Sequence, residues 1–465
     1  MTATRTEHDS LGPVEVPRDA YWGAQTQRSL SNFDIGEERM PMAVIHAYAK
    51  LKKAAAATNA ELNVVAADIA EAIGAACDEV LSGRLDDAFP LRVWQTGSGT
   101  QTNMNLNEVL ANRATEILGG DFRDESDKRV HPNDDVNASQ SSNDTFPSVM
   151  HVAALEELTT RLEPSLRALR EALDEKAGAW KDIIKSGRTH LMDATPLTLG
   201  QEFSGYVAQL DARRDALTGC YPRLARLALG GTAVGTGINA PAEFARRATA
   251  RLSALTGLEL VPADNYFAEL SAQDTMVELS GHLKSLAVSL MHIGNQVRLL
   301  ASGPRTGLAE LVLPANEPGS SIMPGKVNPT QCEALCMVCA QVIGNDATVA
   351  VAGSHGHLQL NTFKPVIAYD VLQSIDLLSD AMASFEARCV QGMEPNLRRI
   401  AELRERSLML VTALTPEIGY DKAADVAKKA LREDTTIREA ALALGVLDEA
   451  TLDRLLDPGQ MLGSN

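Results

Sequence analysis

The chain has 465 residues, of which 43 are Lys or Arg and 61 are Asp or Glu, giving a formal charge of −18 at pH 7. This acidic balance repels nucleic acid and anionic membranes, so an anionic substrate would require a local basic site. A chain of this length is expected to form two or three domains rather than one core.

The amino terminus, MTATRTEHDSLGPVEVPRDAYWG, has no apolar h-region and carries acids early, unlike a secretory signal or a transit peptide. No uncharged apolar run approaches the ~20 residues that span a bilayer. We therefore expect a cytoplasmic protein with neither a membrane nor a nucleic-acid partner. The six cysteines are expected to be buried thiols rather than a disulfide framework.

Strand signals are weak along the whole chain, with aromatic residues at 4% and only a short edge piece expected near Val14. Helix signals dominate instead. Apolar residues recur in steps of three and four from Ser148 to Ser186, from Met276 to Leu300 and from Leu372 to Cys389, which predicts long amphipathic helices. Helices of roughly 30 residues, each ~45 Å long, suit the core of a helix bundle.

The breaks in these patterns divide the chain. A polar segment from Gln140 to Pro147 precedes the first long helix pattern, and a helical stripe stops near Glu394. We predict an all-α protein with an amino-terminal, mainly helical domain at 1–140, a central long-helix domain at 141–395, and a small helical domain at 396–465.

Three polar islands have no packing explanation. TGSGTQTNMNLNEV begins at Thr96, HPNDDVNASQSSNDTFP begins at His131, and GRTHLMDATP begins at Gly187. Each offers hydroxyl, amide or backbone N–H donors, the groups that hold carboxylate oxygens. Together they predict a carboxylate-binding site. The run GGTAVGTG from Gly230 lacks nucleotide-loop spacing and is expected to be a helix junction.

A fourth polar stretch, GSSIMPGKVNPTQCEA from Gly319, places two serines and a lysine among glycines and prolines. Taken alone, such a segment is most often a solvated turn. Backbone N–H groups with Lys326 and Asn328 could instead stabilise a dianionic intermediate, and their field could stabilise an alkoxide at Ser320 without a neighbouring histidine.

Cys332, Cys336 and Cys339 have the C-x3-C-x2-C spacing of radical iron–sulfur enzymes. The same spacing, i, i+4, i+7, continues an apolar helical stripe that includes Leu335 and Val342. Free cysteine packs as a small hydrophobe, so we predict a buried helix face without a cluster or any other metal site.

These motifs resemble those of a known protein family. GSSIMPGKVNP resembles the signature of the fumarase/aspartase superfamily, and the three islands, in this order, are similar to class II fumarases over essentially the whole chain. The resemblance implies a three-domain, all-α homotetramer whose core contains twenty helices, five from each subunit. It also implies reversible hydration of fumarate to L-malate in the tricarboxylic acid cycle without metal or cofactor, at active sites that each take residues from three chains.

The resemblance also assigns roles to residues. Ser320, in a lid loop, is implied as the catalytic base, and His190, paired with Glu333, as the group that holds water or the substrate hydroxyl. The implied substrate-binding residues are Ser98, Gly99, Thr100, Ser141, Ser142, Asn143, Thr189, Ser321, Lys326, Val327 and Asn328. A second, non-catalytic anion site is implied at His131, Pro132, Asn133 and Asp134, where a simple helix cap is the alternative.

Two other functions remain open at this point. An aspartate ammonia-lyase shares the fold and the lid signature but typically has glutamine at position 190, so His190 favours a fumarase. A crystallin-like structural tetramer would not need the polar islands. Departures from the usual fumarase pattern, none at a residue with assigned chemistry, are Met192, Ala315, Gln359 and Thr362.

Overall fold

The structure of the protein is a computed structural model that describes residues 3–462. The α-helices are α1 (Ala24–Asn32), α2 (Met42–Glu61), α3 (Ala67–Leu81), α4 (Thr100–Ile117), α5 (Ser142–Glu157), α6 (Glu163–Ala179), α7 (Leu199–Thr218), α8 (Tyr221–Leu224), α9 (Phe244–Thr256), α10 (Tyr266–Ser271), α11 (Asp274–Leu300), α12 (Thr330–Gly353), α13 (Lys364–Phe385), α14 (Leu397–Arg406), α15 (Thr415–Ile418), α16 (Tyr420–Glu433), α17 (Ile437–Leu444) and α18 (Glu449–Leu455). The predicted all-α class is confirmed.

The strands are short and pair only in twos. They are β1 (Thr4–Asp9), β2 (Gly12–Pro17), β3 (Ile184–Thr189), β4 (Met192–Thr198), β5 (Arg226–Leu227), β6 (Val261–Pro262), β7 (Leu311–Val312), β8 (Gly356–His357), β9 (Leu360–Asn361) and β10 (Glu394–Pro395). The pairs are β1 with β2, β3 with β4, β5 with β6, β7 with β10 and β8 with β9. Such two-stranded pieces are too small to form a core of their own.

The described residues form two compact units, each discontinuous in sequence. The first comprises residues 3–164, Asp215–Ala287 and Ala340–Ser379, and the second comprises Ser165–Arg214, Val288–Cys339 and residues 380–462. In the first unit, α2 packs against α3, α5 and α9, and α3 packs against α4. Its largest fully buried side chains include Tyr48, Lys52 and Phe146.

In the second unit, the helical segments from Leu408 onward share a hydrophobic cluster that includes Leu414, Val426 and Leu452. The predicted domain boundaries coincide with helix starts, because Ser141 caps α5 and Asn396 caps α14. The three-domain division itself stays a prediction.

The three predicted apolar stripes are confirmed, since each of their residues along 149–173, 276–300 and 372–389 is buried. The end of the first helix was predicted wrongly. The helical path from Ser142 continues through a π-helical turn at Leu158–Leu162 and ends at Ala179, not at Ser186. Residues 184–189 form β3, which pairs with β4.

The short edge piece expected near Val14 is confirmed as part of β2, whereas β1, β3 and β4 escaped prediction. The side chains that β1 and β3 bury are polar. In β1, Arg5 and Glu7 point inward, and Arg5 donates to the carbonyls of Pro17, Arg18, Ala20 and Trp22. In β3, Lys185 is buried and pairs with Glu202 (2.5 Å) and Glu310 (2.9 Å). A search for alternating apolar residues cannot detect such strands.

Helix α12 combines high hydropathy with a largely exposed surface. Over 18 residues its mean hydropathy is 1.5, and one third of that window is buried. By length and composition alone it could cross a membrane, as core helices of water-soluble proteins also could. Two large apolar residues of α12, Met337 and Val351, are exposed. Several small residues of the helix are exposed as well, namely Ala334, Ala340, Gly344, Ala347 and Thr348.

Candidate active site

The turn Thr96–Thr100, in the first unit, leads into α4. The Ser98 and Thr100 hydroxyls share a hydrogen bond of 2.8 Å. Gly99 has φ 77°, and a Cβ atom there would lie 2.0 Å from the Phe146 ring. A Cβ atom on Gly97 would lie 1.3 Å from the carbonyl oxygen of Thr362. Close packing therefore fixes this turn at a helix N-terminus, where N–H groups and the helix dipole favour an anion.

Ser141, Ser142 and Asn143 lie at the start of α5 in the same unit. Ser141 caps the helix, because its hydroxyl accepts the Asn143 N–H (3.1 Å) and its own N–H donates to Asp144 (2.9 Å). The Asn143 amide donates to the carbonyl of Ala233 (2.8 Å). The start of α5 is thus a second helix N-terminus with ordered polar side chains.

An asparagine network, which the sequence analysis did not identify, joins these two helix N-termini. Asn103 of α4 donates to the Ser142 hydroxyl (2.9 Å) and to Asn137 Oδ1 (3.1 Å). The same Asn137 oxygen accepts from Lys52 Nζ (2.9 Å) and Asn107 (3.2 Å). The i, i+4 spacing of Asn103 and Asn107, which places both amides on one helix face, was the available signal.

The loop from Gly230 does more than connect two helices, because it also binds a carboxylate of α5. The N–H groups of Gly230 and Thr232 each donate to Asp144 Oδ2 at 2.9 Å. Three backbone N–H groups, including that of Ser141, therefore hold this buried carboxylate. The loop fastens the start of α5 rather than binding a nucleotide phosphate.

His190 lies in the second unit, at the tip of the β3–β4 hairpin. Thr189 pairs with Met192, so His190 and Leu191 form a two-residue turn, and their φ angles are 57° and 62°. Such a turn requires positive φ at both positions, which is rare for a leucine and stores backbone strain. His190 is exposed, and Leu191 and Met192 are 78% and 69% exposed. The hairpin tip therefore presents apolar side chains that its own chain leaves uncovered.

The lid loop, also in the second unit, is held by its own backbone. The Gly319 N–H donates to the Lys326 carbonyl (3.0 Å), and the Asn328 amide donates to the Gly319 carbonyl (2.6 Å). Ser320 Oγ accepts the N–H groups of Ile322 (3.3 Å) and Met323 (3.0 Å). Donors that converge on an oxygen stabilise its anionic form.

The rest of the loop is open to solvent. Ser321, Lys326 and Val327 are exposed, and a cavity of about 420 Å³ is lined by Ser320 and Lys326 among others. Glu333 lies in the first turn of α12 and is also exposed. Within the described part of one chain, no hydrogen bond or ion pair joins His190 to Ser320 or to Glu333. The predicted His190–Glu333 pairing stays a prediction.

The predicted second anion site lies in the first unit and lines a cavity of about 560 Å³. His131 Nδ1 accepts the N–H groups of Asn133 (3.3 Å) and Asp134 (3.0 Å), so His131 caps the π-helical turn Pro132–Val136. Pro132 and Asn133 also line the cavity, with Lys128, Arg129 and five carboxylates. The cap interpretation describes this geometry, and anion binding at the site stays a prediction.

Cys332 and Cys339 are fully buried on α12, as predicted for a packed helix face, and Cys336 is partly buried. A hydrogen bond with Cys389, together with burial, raises the pKa of the Cys332 thiol well above its ordinary range, and burial raises the pKa of Cys339 to about 12. Within residues 3–462, no three His, Cys, Asp or Glu side chains are arranged to hold a metal ion.

Comparison with known proteins places the chain in a family. A lyase family matches residues 12–344, and a family described as the fumarase C C-terminus matches residues 410–463. The class II fumarate hydratase of Ralstonia nicotianae is 60% identical over 460 residues, which cover 99% of both chains. This chain belongs to the class II fumarases.

Solved structures of related proteins agree with this family. The class II fumarase of Schistosoma mansoni superposes with a TM-score of 0.96 at 44% identity and covers 99% of both chains. A fumarate lyase:delta crystallin from Brucella melitensis, solved bound to cobalt, superposes with a TM-score of 0.94 at 44% identity, covering 99% of this chain and 100% of that one. The predicted fumarase/aspartase-like fold is therefore confirmed.

Proposed function

We propose that this class II fumarase catalyses the reversible hydration of fumarate to L-malate. The observation that carries the proposal is 60% identity, over 99% of the chain, to a fumarate hydratase class II. The polar groups at the starts of α4 and α5 and in the lid loop support it, because they are donors suited to a dicarboxylate.

The chemistry explains why these residue types are needed. Dehydration of malate removes a proton from the carbon beside a carboxylate, which generates a dianionic aci-carboxylate. In the proposed mechanism Ser320 takes that proton, while Lys326, Asn328 and backbone N–H groups stabilise the developing charge. His190, oriented by Glu333, holds the water or hydroxyl at the other carbon and exchanges a proton with it.

A homotetramer with composite active sites completes the proposal. The exposed small-residue face of α12 suits close packing against a helix of another subunit, which would remove its apolar surface from water. The exposed tip of the β3–β4 hairpin at His190 would also be covered by another subunit. A large interface between identical chains is the usual way to bury such surface. We also propose that the enzyme is located in the cytoplasm.

One kinetic experiment tests the function. Purified enzyme is offered fumarate, L-malate and L-aspartate in parallel, and fumarate absorbance is followed. We expect fumarate to disappear in water and to form from malate, with no formation from aspartate. Ammonia-dependent consumption of fumarate, or fumarate formed from aspartate alone, would favour an ammonia-lyase. Inactivity on all three by a folded tetramer would favour a structural role.

Activity is expected to be independent of metal. The thiols of Cys332 and Cys339 are buried in α12, and each has a raised pKa. After exhaustive chelation and anaerobic purification, kcat/KM should stay within about twofold of its starting value. Iron present in stoichiometric amount, and lost together with activity, would contradict this prediction.

A further inference from the structure

Lys364, the first residue of α13, carries a buried amine that the proposed mechanism does not use. Its side chain has no exposed surface, and its Nζ atom has no hydrogen-bond partner among residues 3–462. An ammonium group without a partner in a protein interior costs free energy. A methionine of similar length would avoid that cost, so packing alone does not account for a lysine here.

Lys364 lies directly against the turn that carries the predicted substrate-binding residues Ser98, Gly99 and Thr100. Its backbone N–H donates to the Gly97 carbonyl at 3.1 Å. The backbone of Thr362 approaches Gly97 so closely that this position has no room for a side chain. The start of α13 and the Thr96–Thr100 turn therefore hold one another in place within the first unit.

The charges around Lys364 do not balance. Asp144, at the start of α5, is the carboxylate whose charge acts on both Lys364 and Lys52 of α2. Burial raises the pKa of Asp144, while its backbone N–H donors and Lys52 oppose that shift. Two buried amines therefore face at most one carboxylate, and the Thr96–Thr100 turn, which contacts the backbone of Lys364, carries no charged side chain.

We propose that Lys364 is a positioning residue of the substrate site, whose buried charge attracts a substrate carboxylate to the Thr96–Thr100 turn and the start of α5. The inference rests on the proposed fumarase function. Because Nζ is buried, Lys364 acts through its electric field and through the turn rather than by touching substrate. A carboxylate that approaches the turn supplies the missing negative charge, and in a low-dielectric interior this attraction is strong.

The protonation state of Lys364 should have a measurable effect on substrate affinity. Burial lowers the pKa of Lys364 from 10.5 to about 7, and Asp144 opposes the shift. A bound carboxylate favours the protonated amine, so affinity for a dicarboxylate should fall as pH rises through about 7. Asp144 of α5 is the charged group that acts on Lys364, and Asp144 is in turn acted on by Lys52 of α2. We assign to Lys364 only the part of the pH dependence of dicarboxylate affinity that disappears when Lys364 is replaced.

The test is Lys364→Met, which keeps the backbone N–H and the apolar stem but removes the charge. We expect KM for fumarate and Ki for succinate, an unreactive dicarboxylate, to rise about tenfold or more while kcat changes less than about threefold. The Ki of Lys364→Met should also vary less between pH 6 and 8 than that of the wild type. Lys428→Met, at an exposed lysine, is the matched control for loss of one charge and should leave all three constants unchanged.

Stability separates an electrostatic role from a structural one. Because the pKa of Lys364 in the folded chain lies below 10.5, the unfolded chain binds the extra proton between pH of about 7 and 10.5. The lysine therefore destabilises the fold most fully at and below pH 7, and Lys364→Met should raise Tm there or leave it unchanged.

Three results would count against this inference. Unchanged KM and Ki in Lys364→Met, with an active wild type, would overturn it and leave the proposed function intact. A lower Tm accompanied by a proportional loss of kcat would make Lys364 structural and would also overturn it. A wild type inactive on fumarate would overturn the proposed function, and this inference with it.

Discussion

Replacing Ser320 by alanine is expected to lower kcat for malate dehydration by at least ~10³-fold, with the fold and the assembly unchanged. The substitution removes the oxygen that accepts the N–H groups of Ile322 and Met323. Those donors, with Lys326 on the same loop, are the features that would stabilise an alkoxide in the absence of a histidine. Since Ser320 lies in a partly exposed loop and not in a core, Tm should change little.

Steady-state kinetics, circular dichroism and the oligomer mass test this expectation together. Ser31→Ala is the matched control, because it removes an exposed hydroxyl that only donates to the Gln27 carbonyl within α1. That control should retain wild-type kinetics. Near-normal kcat in Ser320→Ala would exclude the serine from proton transfer and leave the hydroxyl as an ordinary turn residue.

Replacing His190 by asparagine is expected to lower kcat by ~10²–10⁴-fold if the imidazole exchanges a proton with water or the substrate hydroxyl. Asparagine tolerates positive φ, so the turn at the tip of the β3–β4 hairpin, where His190 has φ 57°, should persist. The loss then reports on the imidazole and not on the backbone.

Two measurements separate a proton-transfer role from a positioning role for His190. The pH profile of kcat should lose the limb that belongs to the imidazole, and Tm should stay within about 2 °C of the wild type. A decrease in kcat of less than about tenfold would reduce His190 to a positioning residue.

Much of the helical architecture could be predicted from the sequence, because its buried stripes are apolar and follow the helical period. The α11 stripe from Met276 to Leu300 is the clearest case, since every predicted position is buried. Of the four strands in the two long hairpins, only β2 near Val14 was expected, and β1, β3 and β4 could not be predicted in the same way. Their inward side chains, Arg5 and Lys185, are charged and satisfied by partners far away in sequence.

The candidate site, like the fold, could be predicted from the sequence only in part. The glycines, hydroxyls and amides of the polar islands indicated a carboxylate site, and the resemblance assigned individual roles. Partners such as Asn137 and Lys364 were not identified, because their roles depend on contacts with Asn103 and Gly97 that no local pattern encodes. The positive φ of His190 and Leu191 likewise becomes evident only once β3 and β4 pair.

The central claim is that fumarate is hydrated at sites that take Ser320 from one chain and His190 from another. Co-expression of Ser320→Ala and His190→Asn chains with two different affinity tags allows mixed tetramers to be isolated. With equal, random mixing, a site receives an intact serine with probability one half and an intact histidine from another chain with probability one half.

The fumarase activity of these purified mixed tetramers is therefore the decisive measurement. Because the two-tag purification removes tetramers of a single chain type, one eighth of a random mixture, our account predicts recovery to about two sevenths of wild-type activity, far above either parent. Mixed tetramers of verified composition that remain as inactive as the parents would contradict it, because both groups would then have to come from the same chain.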